Sequence, residues 1–392
     1  MDGELNLRQT RRLRRHSGVI LAVWLLLLAI QQLSPFFLSE RFFCFREWEC
    51  VVANDRPFKP WVRWQGISYG DLANTAGVPQ LKHFHPESFT ADEYGFRNPP
   101  GQYAKGPQVV IVGDSFAAGS QLSDDEVLPA LIEKELGIPA YNYANNKLPS
   151  YFGDRRFIAR PPRVVLAFHV ERETDPALFQ IPDDLQPFDP VRFASFDDYR
   201  QRTGGGTDRR LRALVKAIRR DNLFGWVGER LLKGGLWSLG LYALPEQIFY
   251  YQPRTGYLFS EKGGRAHLDL SKLLGKIEPT VAALRDAKEK LAARGTRLIV
   301  LIAPDKETVY HDQIPALRDK NVGEFLARFN AALDAAGVEN LPVLPLFAAD
   351  RAAHPDEDLY FPDDTHLTAR GQRVIFDALR DRLAAGGAAE TK

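Results

Sequence analysis

The chain has 392 residues, enough for one large domain or two ordinary ones; 45% of them are hydrophobic and 26% are charged. This balance is typical of a globular protein and excludes wholesale disorder. The formal net charge of +1 gives no support for a concentrated basic face, so we expect no nucleic-acid partner.

A basic segment and an apolar run come first in the chain. Five arginines lie between residues 8 and 15, and the apolar stretch GVILAVWLLLLAI follows at 18–30 and continues less purely to residue 38. Counted to that point, the run reaches about the 20 residues that a membrane-spanning helix needs. Arginines ahead of it predict that the rest of the chain lies outside. We therefore predict a cytoplasmic segment at 1–16 and an uncleaved transmembrane signal anchor at 17–38. A cleaved signal peptide is the alternative.

The only two cysteines, Cys44 and Cys50, lie in CFREWEC just after the apolar run. In an oxidising compartment they could close a small disulfide loop, which agrees with export. Two unpaired thiols are the alternative. Residues 39–104 are rich in aromatic residues, proline and glycine, and we predict an irregular lead-in that packs on the main domain.

A main domain at 105–386 is predicted from alternating strands and helices. The predicted strands are PQVVIV, IPAYNYANN, RVVLAFHV, TRLIVLIAP and LPVLPLF. Predicted helices include one that Ser123 caps and one unbroken helix from 268 to 295. Apolar strands alternating with helices indicate an α/β fold with a parallel sheet covered on both faces. Residues 176–262 interrupt the alternation, and we interpret them as a helical, aromatic insertion.

Ser115 follows the first of these strands directly, in VVIVGDSFAAG at 109–119. Sites in parallel sheets form at the carboxyl ends of the strands. A serine hydroxyl is a weak nucleophile until a neighbouring base takes its proton, so a suitable histidine is needed.

His366 is the histidine that has carboxylates close to it in the sequence. It stands in LYFPDDTHLTARGQ, where Asp363 and Asp364 precede it in a predicted loop ahead of the last helix. A carboxylate there can fix the imidazole tautomer and stabilise the imidazolium. The pair His83 and His85 has no carboxylate or cysteine cluster beside it, and we predict no metal site.

GDSF together with a C-terminal D-x-x-H resembles the SGNH (GDSL-like) hydrolase superfamily, whose fold is a flavodoxin-like α/β sandwich. The resemblance implies Ser115 as nucleophile, with His366 and Asp363 completing the triad. The usual oxyanion blocks of that superfamily are absent, and Asn145 is a candidate for the missing donor.

Three further motifs resemble those of the alginate O-acetyltransferase (AlgX/AlgJ-like) branch of this superfamily. They are the ER dipeptide after the third strand, APDKETVY after the next strand, and DDTH. The D-T-H spacing of that branch selects Asp364 instead of Asp363, although there the motif usually precedes the serine. Arg172, Lys306 and Tyr310 become candidates for oxyanion or substrate binding, with structural roles as the alternative.

The resemblance implies an O-acyltransferase that acetylates a cell-envelope or secreted polysaccharide through an acyl-Ser115 intermediate, without a cofactor. Together with the predicted signal anchor, it leads us to expect an inner-membrane, single-pass protein with its catalytic domain in the periplasm. Acetyl-CoA is not available there, so a membrane acyl-donor protein is expected as partner. A carbohydrate esterase with the same triad and a non-catalytic scaffold are the alternatives.

Overall fold

A computed structural model describes residues 16–30, 51–53, 56–204 and 223–385. The chain forms two compact units, one from Met1–Phe45 with Gly204–Tyr242 and the other from Arg46–Thr203 with Ala243–Lys392. All candidate catalytic and substrate residues belong to the second unit. Cys44 and Cys50 lie outside the described residues, so the disulfide stays a prediction.

The first unit contains a helix over residues 16–30 and the helix Leu223–Ser238. Most side chains of the helix over 16–30 are exposed. The rest of the predicted anchor, residues 31–38, lies outside the described part of the chain. Among the described residues, no helix combines the length and the apolar character needed to span a bilayer.

The second unit contains all the strands that are described. In chain order they are β1 (Arg63–Ser68), β2 (His85–Thr90), β3 (Val109–Gly113), β4 (Ala140–Asn142), β5 (Val164–Val170), β6 (Ile248–Gln252), β7 (Tyr257–Ser260), β8 (Arg297–Ala303) and β9 (Asn340–Pro342). Its α-helices are Asp71–Ala76, Ser115–Ala118, Leu128–Leu136, Leu148–Gly153, Arg155–Ala159, Phe196–Gly204, Glu261–Leu268, Ser271–Leu274, Ile277–Ala292, Lys306–Val309, Glu324–Ala335, Val343–Ala353 and Ala369–Ala385. Two strand pairs are antiparallel, β1 with β2 and β6 with β7. The predicted irregular lead-in therefore contains regular structure.

Five parallel strands form the central sheet, in the spatial order β4-β3-β5-β8-β9. Every residue of β3 and β5 is buried, as expected for strands covered on both faces. The chain leaves β3 for β4 on one side and then crosses to β5 on the other. A ligand crevice forms at such a switch point, outside the carboxyl ends of the strands. The predicted α/β fold with a parallel sheet is thus confirmed, and the sheet fits the expected SGNH-like fold.

Three predicted elements differ from the structure. The helix expected to be capped by Ser123 begins only at Leu128. A proline lies in its first turn, a position that suits proline because the N–H groups there have no partner within the helix. The long helix expected from 268 to 295 is interrupted at Gly275, between Ser271–Leu274 and Ile277–Ala292. LPVLPLF is mostly helical, because a short apolar run does not distinguish strand from helix.

Candidate active site

Ser115 is presented by a tight turn at the end of β3. The turn is held by Asp114, whose Oδ1 accepts the N–H of Phe116 at 2.8 Å and whose Oδ2 accepts the N–H of Val170 at 2.7 Å. One carboxylate thus joins the turn to the end of β5. A Cβ on Gly113 would lie 1.7 Å from the carbonyl oxygen of Phe168, so the approach of the two strands requires glycine here.

His366 lies in the loop before the last helix and reaches the serine. Its Nε2 is 2.7 Å from Oγ of Ser115, and its Nδ1 is 2.5 Å from Oδ1 of Asp364. The imidazole side chain is only 12% exposed. Hydroxyl, imidazole and carboxylate therefore stand in the order that lets a histidine take a proton from a serine.

Asp363, which the D-x-x-H spacing selects, makes different contacts. Its Oδ2 accepts the N–H groups of Gly70 and His83, each at 2.9 Å. The loop backbone directs these two adjacent carboxylates to different neighbours, and Asp364 is the one that meets His366. The geometry therefore favours Asp364, the alternate choice, as the acidic partner of the imidazole.

The surroundings of His366 raise the pKa of its imidazole. Burial acts against the charged form, but the negative charge of Asp364 and its hydrogen bond outweigh burial, and Asp71 adds to them. The positive charge of Arg172 acts in the opposite sense. A raised pKa means that the imidazolium is stabilised when the ring accepts a proton.

Asn145 lies in the loop after β4, in the left-handed region with φ of 56°. The N–H of the next residue, Asn146, donates to the carbonyl of Gly113 at 3.0 Å, which brings this loop beside the serine turn. The side-chain Nδ2 of Asn145 is buried and has no hydrogen-bond partner among the described residues. A free amide donor at this place suits the binding of a developing oxyanion.

Arg172 follows β5 and lies close to the same turn. Its Nη1 donates to a carboxylate oxygen of Asp305, and its guanidinium carbon is 5.6 Å from the ring centre of Phe116. Its positive charge lowers the pKa of both Asp114 and His366, although burial raises the pKa of Asp114 overall. The contact with Phe116, the residue after Ser115, places the guanidinium near the serine turn.

Lys306 and Tyr310 form hydrogen bonds with the backbone of the segment that precedes His366. Nζ of Lys306 lies 2.7–3.1 Å from four backbone carbonyl oxygens, those of Leu258, Phe361, Pro362 and Asp364. Burial lowers the pKa of this lysine to about 8. The hydroxyl of Tyr310 accepts the N–H of Leu359 at 3.1 Å. The structural alternative for both residues thus accounts for their contacts.

Within the described part of the chain, two sets of three side chains bring oxygen and nitrogen atoms within 4.8 Å of one another, as a metal site would. They are Asp71, Asp364 and His366, and Glu171, His267 and Asp305. Hydrogen bonds within the protein explain the first set. In the second set, Thr308 Oγ1 donates to Glu171 at 2.6 Å and lies 2.8 Å from Nε2 of His267. This second set is a buried chain of hydrogen bonds behind Arg172.

Asp71 is the residue of the site that sequence reasoning missed. Its backbone N–H donates to Oδ2 of Asp364 at 2.6 Å, although 293 positions separate the two residues. It lies in the segment predicted as an irregular lead-in, and no local motif marks it. A contact of this kind follows only from the tertiary fold.

Comparison with known proteins gave one finding and one absence. No curated protein matched the chain. Residues 254–392 match the family model of the SGNH hydrolase-like domain of acetyltransferase AlgX. This range includes Asp364 and His366, whereas Ser115 precedes it. The resemblance to the AlgX-like branch, inferred from the GDSF and DDTH motifs, is thereby confirmed over residues 254–392, a range that contains DDTH but not GDSF.

Proposed function

We propose that the protein is an O-acyltransferase that acetylates a polysaccharide through an acyl-Ser115 intermediate. The observation that carries the proposal is the hydrogen-bonded chain from Ser115 through His366 to Asp364. The match of residues 254–392 to an acetyltransferase domain supports the acyl chemistry.

In the first half-reaction, Oγ of Ser115 attacks the carbonyl carbon of the acyl donor while its proton passes to Nε2 of His366. Asp364 stabilises the imidazolium that results. When the tetrahedral intermediate collapses, the bond to the donor oxygen breaks and that oxygen takes the proton from His366. The acyl group then remains on Ser115 as an ester.

In the second half-reaction, His366 takes the proton of a sugar hydroxyl, and the hydroxyl oxygen attacks the acyl-serine. Collapse transfers the acyl group to the sugar and returns the proton to Ser115. If water takes the place of the sugar, the same steps describe an esterase, which is the second candidate function.

The negative oxygen of both tetrahedral intermediates needs donors. Asn145 is the first candidate, because its buried Nδ2 has no partner among the described residues. Arg172 is the second, because its charge already acts on the serine turn. Donors held in place before the reaction lower the barrier without a cost of reorganisation.

We further propose that the domain works in the periplasm, held at the inner membrane by residues 17–38. The five arginines before residue 16 and the apolar run after it support this location. The acyl donor would then be a membrane protein that delivers acyl groups to the outer side, and the acceptor a polysaccharide.

The test is replacement of Ser115 by alanine in the full-length protein, with Ser120→Ala as a neighbouring control. We expect mass spectrometry of cell glycans to show the loss of one acetyl modification in Ser115→Ala cells alone, with the glycan still made. Purified protein should also form an adduct with a serine-directed phosphonate at Ser115. An unchanged acetylation profile would remove the transferase, and absence of the adduct would favour a non-catalytic scaffold. Acetate release from an activated ester that no oligosaccharide affects would favour the esterase.

A further inference from the structure

Asp71 and the loop of His366 hold each other by reciprocal hydrogen bonds. The N–H of Asp71 donates to Oδ2 of Asp364 at 2.6 Å. In return, the carboxylate of Asp71 accepts two hydrogen bonds from Thr365, one from the backbone N–H at 3.0 Å and one from the Oγ1 hydroxyl at 2.9 Å. Thr365 lies between Asp364 and His366, so Asp71 fixes the backbone that joins the acid to the base.

The residues around Asp71 extend this contact. Asp363 accepts N–H groups from Gly70 and His83 through its side chain, and its backbone carbonyl accepts the N–H of Ala73 at 3.0 Å. A Cβ on Gly70 would lie 1.9 Å from that carbonyl oxygen. The segment from 70 to 83 therefore packs on the loop without space between them.

Both carboxylate oxygens of Asp364 take part in hydrogen bonds. Oδ1 accepts the backbone N–H of His366 at 2.8 Å and lies 2.5 Å from its Nδ1, while Oδ2 accepts from Asp71. The carboxylate cannot turn away from the imidazole without losing the bond to Asp71. The orientation of the imidazole thus depends on a residue outside the range 254–392 that the family model matches.

We propose that Asp71 is a positioning residue of the active site, which acts on His366 through Asp364 and Thr365. The proposal rests on the proposed function, because it assigns Asp71 a part in activating Ser115. It also means that the segment predicted as an irregular lead-in completes the site that Ser115 and His366 form in the same compact unit.

The charge of Asp71 adds an electrostatic effect to the positioning. The charged groups that act on the imidazole are Asp364 and Asp71 on one side, with Asp114 after β3 and Arg172 after β5. Lys306 acts on the carboxylates of Asp71 and Asp364 from beneath the loop. Removing the charge of Asp71 should lower the pKa of His366 while leaving the other groups in place.

The test compares Asp71→Asn and Asp71→Ala with wild type in the full-length protein. The asparagine variant keeps a side-chain oxygen that can accept from Thr365, so it removes the charge and retains the geometry. The alanine variant removes both. Asp269→Asn is the matched control, because Asp269 also accepts an N–H bond, from Ser271, and is exposed.

Two readouts are measured: the rate of phosphonate labelling at Ser115 against pH, and the titration of His366 by NMR. We expect Asp71→Asn to move the His366 midpoint to lower pH with the maximal rate kept within several-fold. We expect Asp71→Ala to lower the maximal rate by about tenfold to 100-fold, as for a misplaced catalytic group. The control should behave as wild type.

The inference is overturned if Asp71→Asn leaves the His366 midpoint unchanged and Asp71→Ala is labelled at the wild-type rate. The proposed function would still stand in that case. Failure of wild type to label at Ser115 would instead overturn the proposed function, and the NMR midpoint would still test the link between Asp71 and His366. Should the alanine variant not fold, the asparagine variant carries the test by itself.

Discussion

Nε2 of His366 lies 2.7 Å from Oγ of Ser115, although 251 positions separate the two residues in the chain. The serine follows β3, and the loop of His366 is held by Lys306, which comes shortly after β8. Both strands end at the same edge of a parallel sheet. The contact is therefore a consequence of sheet topology.

The two neighbouring aspartates should differ sharply in their effect on activity. We expect Asp364→Asn to lower kcat by roughly 10³- to 10⁴-fold, because an amide cannot stabilise the imidazolium or hold the right tautomer. We expect Asp363→Asn to have a much smaller effect, since an amide oxygen can still accept from Gly70 and His83. Steady-state hydrolysis of an activated acetyl ester measures both, and a larger loss in Asp363→Asn would contradict the assignment.

The activity should rise with pH through the pKa of His366. Only the neutral imidazole can accept the proton of Ser115, and the pKa is raised because Asp364 and its hydrogen bond outweigh the effect of burial. The acidic limb of kcat/KM is therefore expected to have its midpoint above about 6.5, the usual value for histidine. A midpoint below that value would show that the imidazolium is not stabilised.

Replacement of Lys306 by methionine should destabilise the protein and disable the site together. The change leaves four backbone carbonyl oxygens without their common donor. We expect a loss of about 2–4 kcal/mol in the free energy of unfolding, judged from the cost of buried unsatisfied groups. Urea denaturation measures it, with Lys320→Met at an exposed position as control. Equal stability of the two variants would argue against this role.

Gly70 should not tolerate alanine. The added Cβ would meet a backbone oxygen of Asp363, which cannot move without shifting the His366 loop. A loss of about 1–3 kcal/mol in stability is expected from overpacking, with lower activity. Gly235→Ala is the control, because nothing lies within 4 Å of its Cβ position inside a helix. There we expect a gain of up to about 1 kcal/mol. Thermal unfolding of both proteins decides the matter.

Removal of the Asn145 amide should slow the chemistry without affecting the fold. We expect Asn145→Gly, chosen because glycine adopts the left-handed backbone of this residue without strain, to lower kcat by about 10²- to 10³-fold, the usual effect of losing one oxyanion donor. Asn146→Ala is the neighbouring control, since its side-chain oxygen accepts the N–H of the adjacent Lys147. Ester hydrolysis under saturating substrate gives kcat for each protein, and equal values would leave Arg172 as the remaining candidate donor.

Sequence reasoning predicted the parallel sheet and the approach of Ser115 to His366, because both follow from local patterns and from where strands end. It favoured Asp363 over Asp364, because spacing in a loop does not determine which way each carboxylate is directed. The hydrogen bonds of Asp363 to Gly70 and His83 supply that information. The catalytic roles of these residues stay predictions until the variants are measured.

Other parts of the site could not be predicted. Lys306 and Tyr310 carry polar groups in a promising motif, but Nζ of Lys306 donates to backbone carbonyls and the hydroxyl of Tyr310 accepts a backbone N–H. Asp71 escaped notice because its partners, Asp364 and Thr365, are about 290 positions away in the chain. A contact between distant parts of the chain leaves no periodic pattern in the local sequence.

The partners of Lys306 are main-chain oxygens, and this has an evolutionary consequence. A carbonyl is offered by every amino acid, so mutations at Leu258 or Pro362 can alter the side chain and still leave the ammonium group its acceptors. The lysine, in contrast, cannot be replaced by an arbitrary residue, because its side chain supplies the donor. As related sequences diverge, this single cation should persist while the residues around it drift.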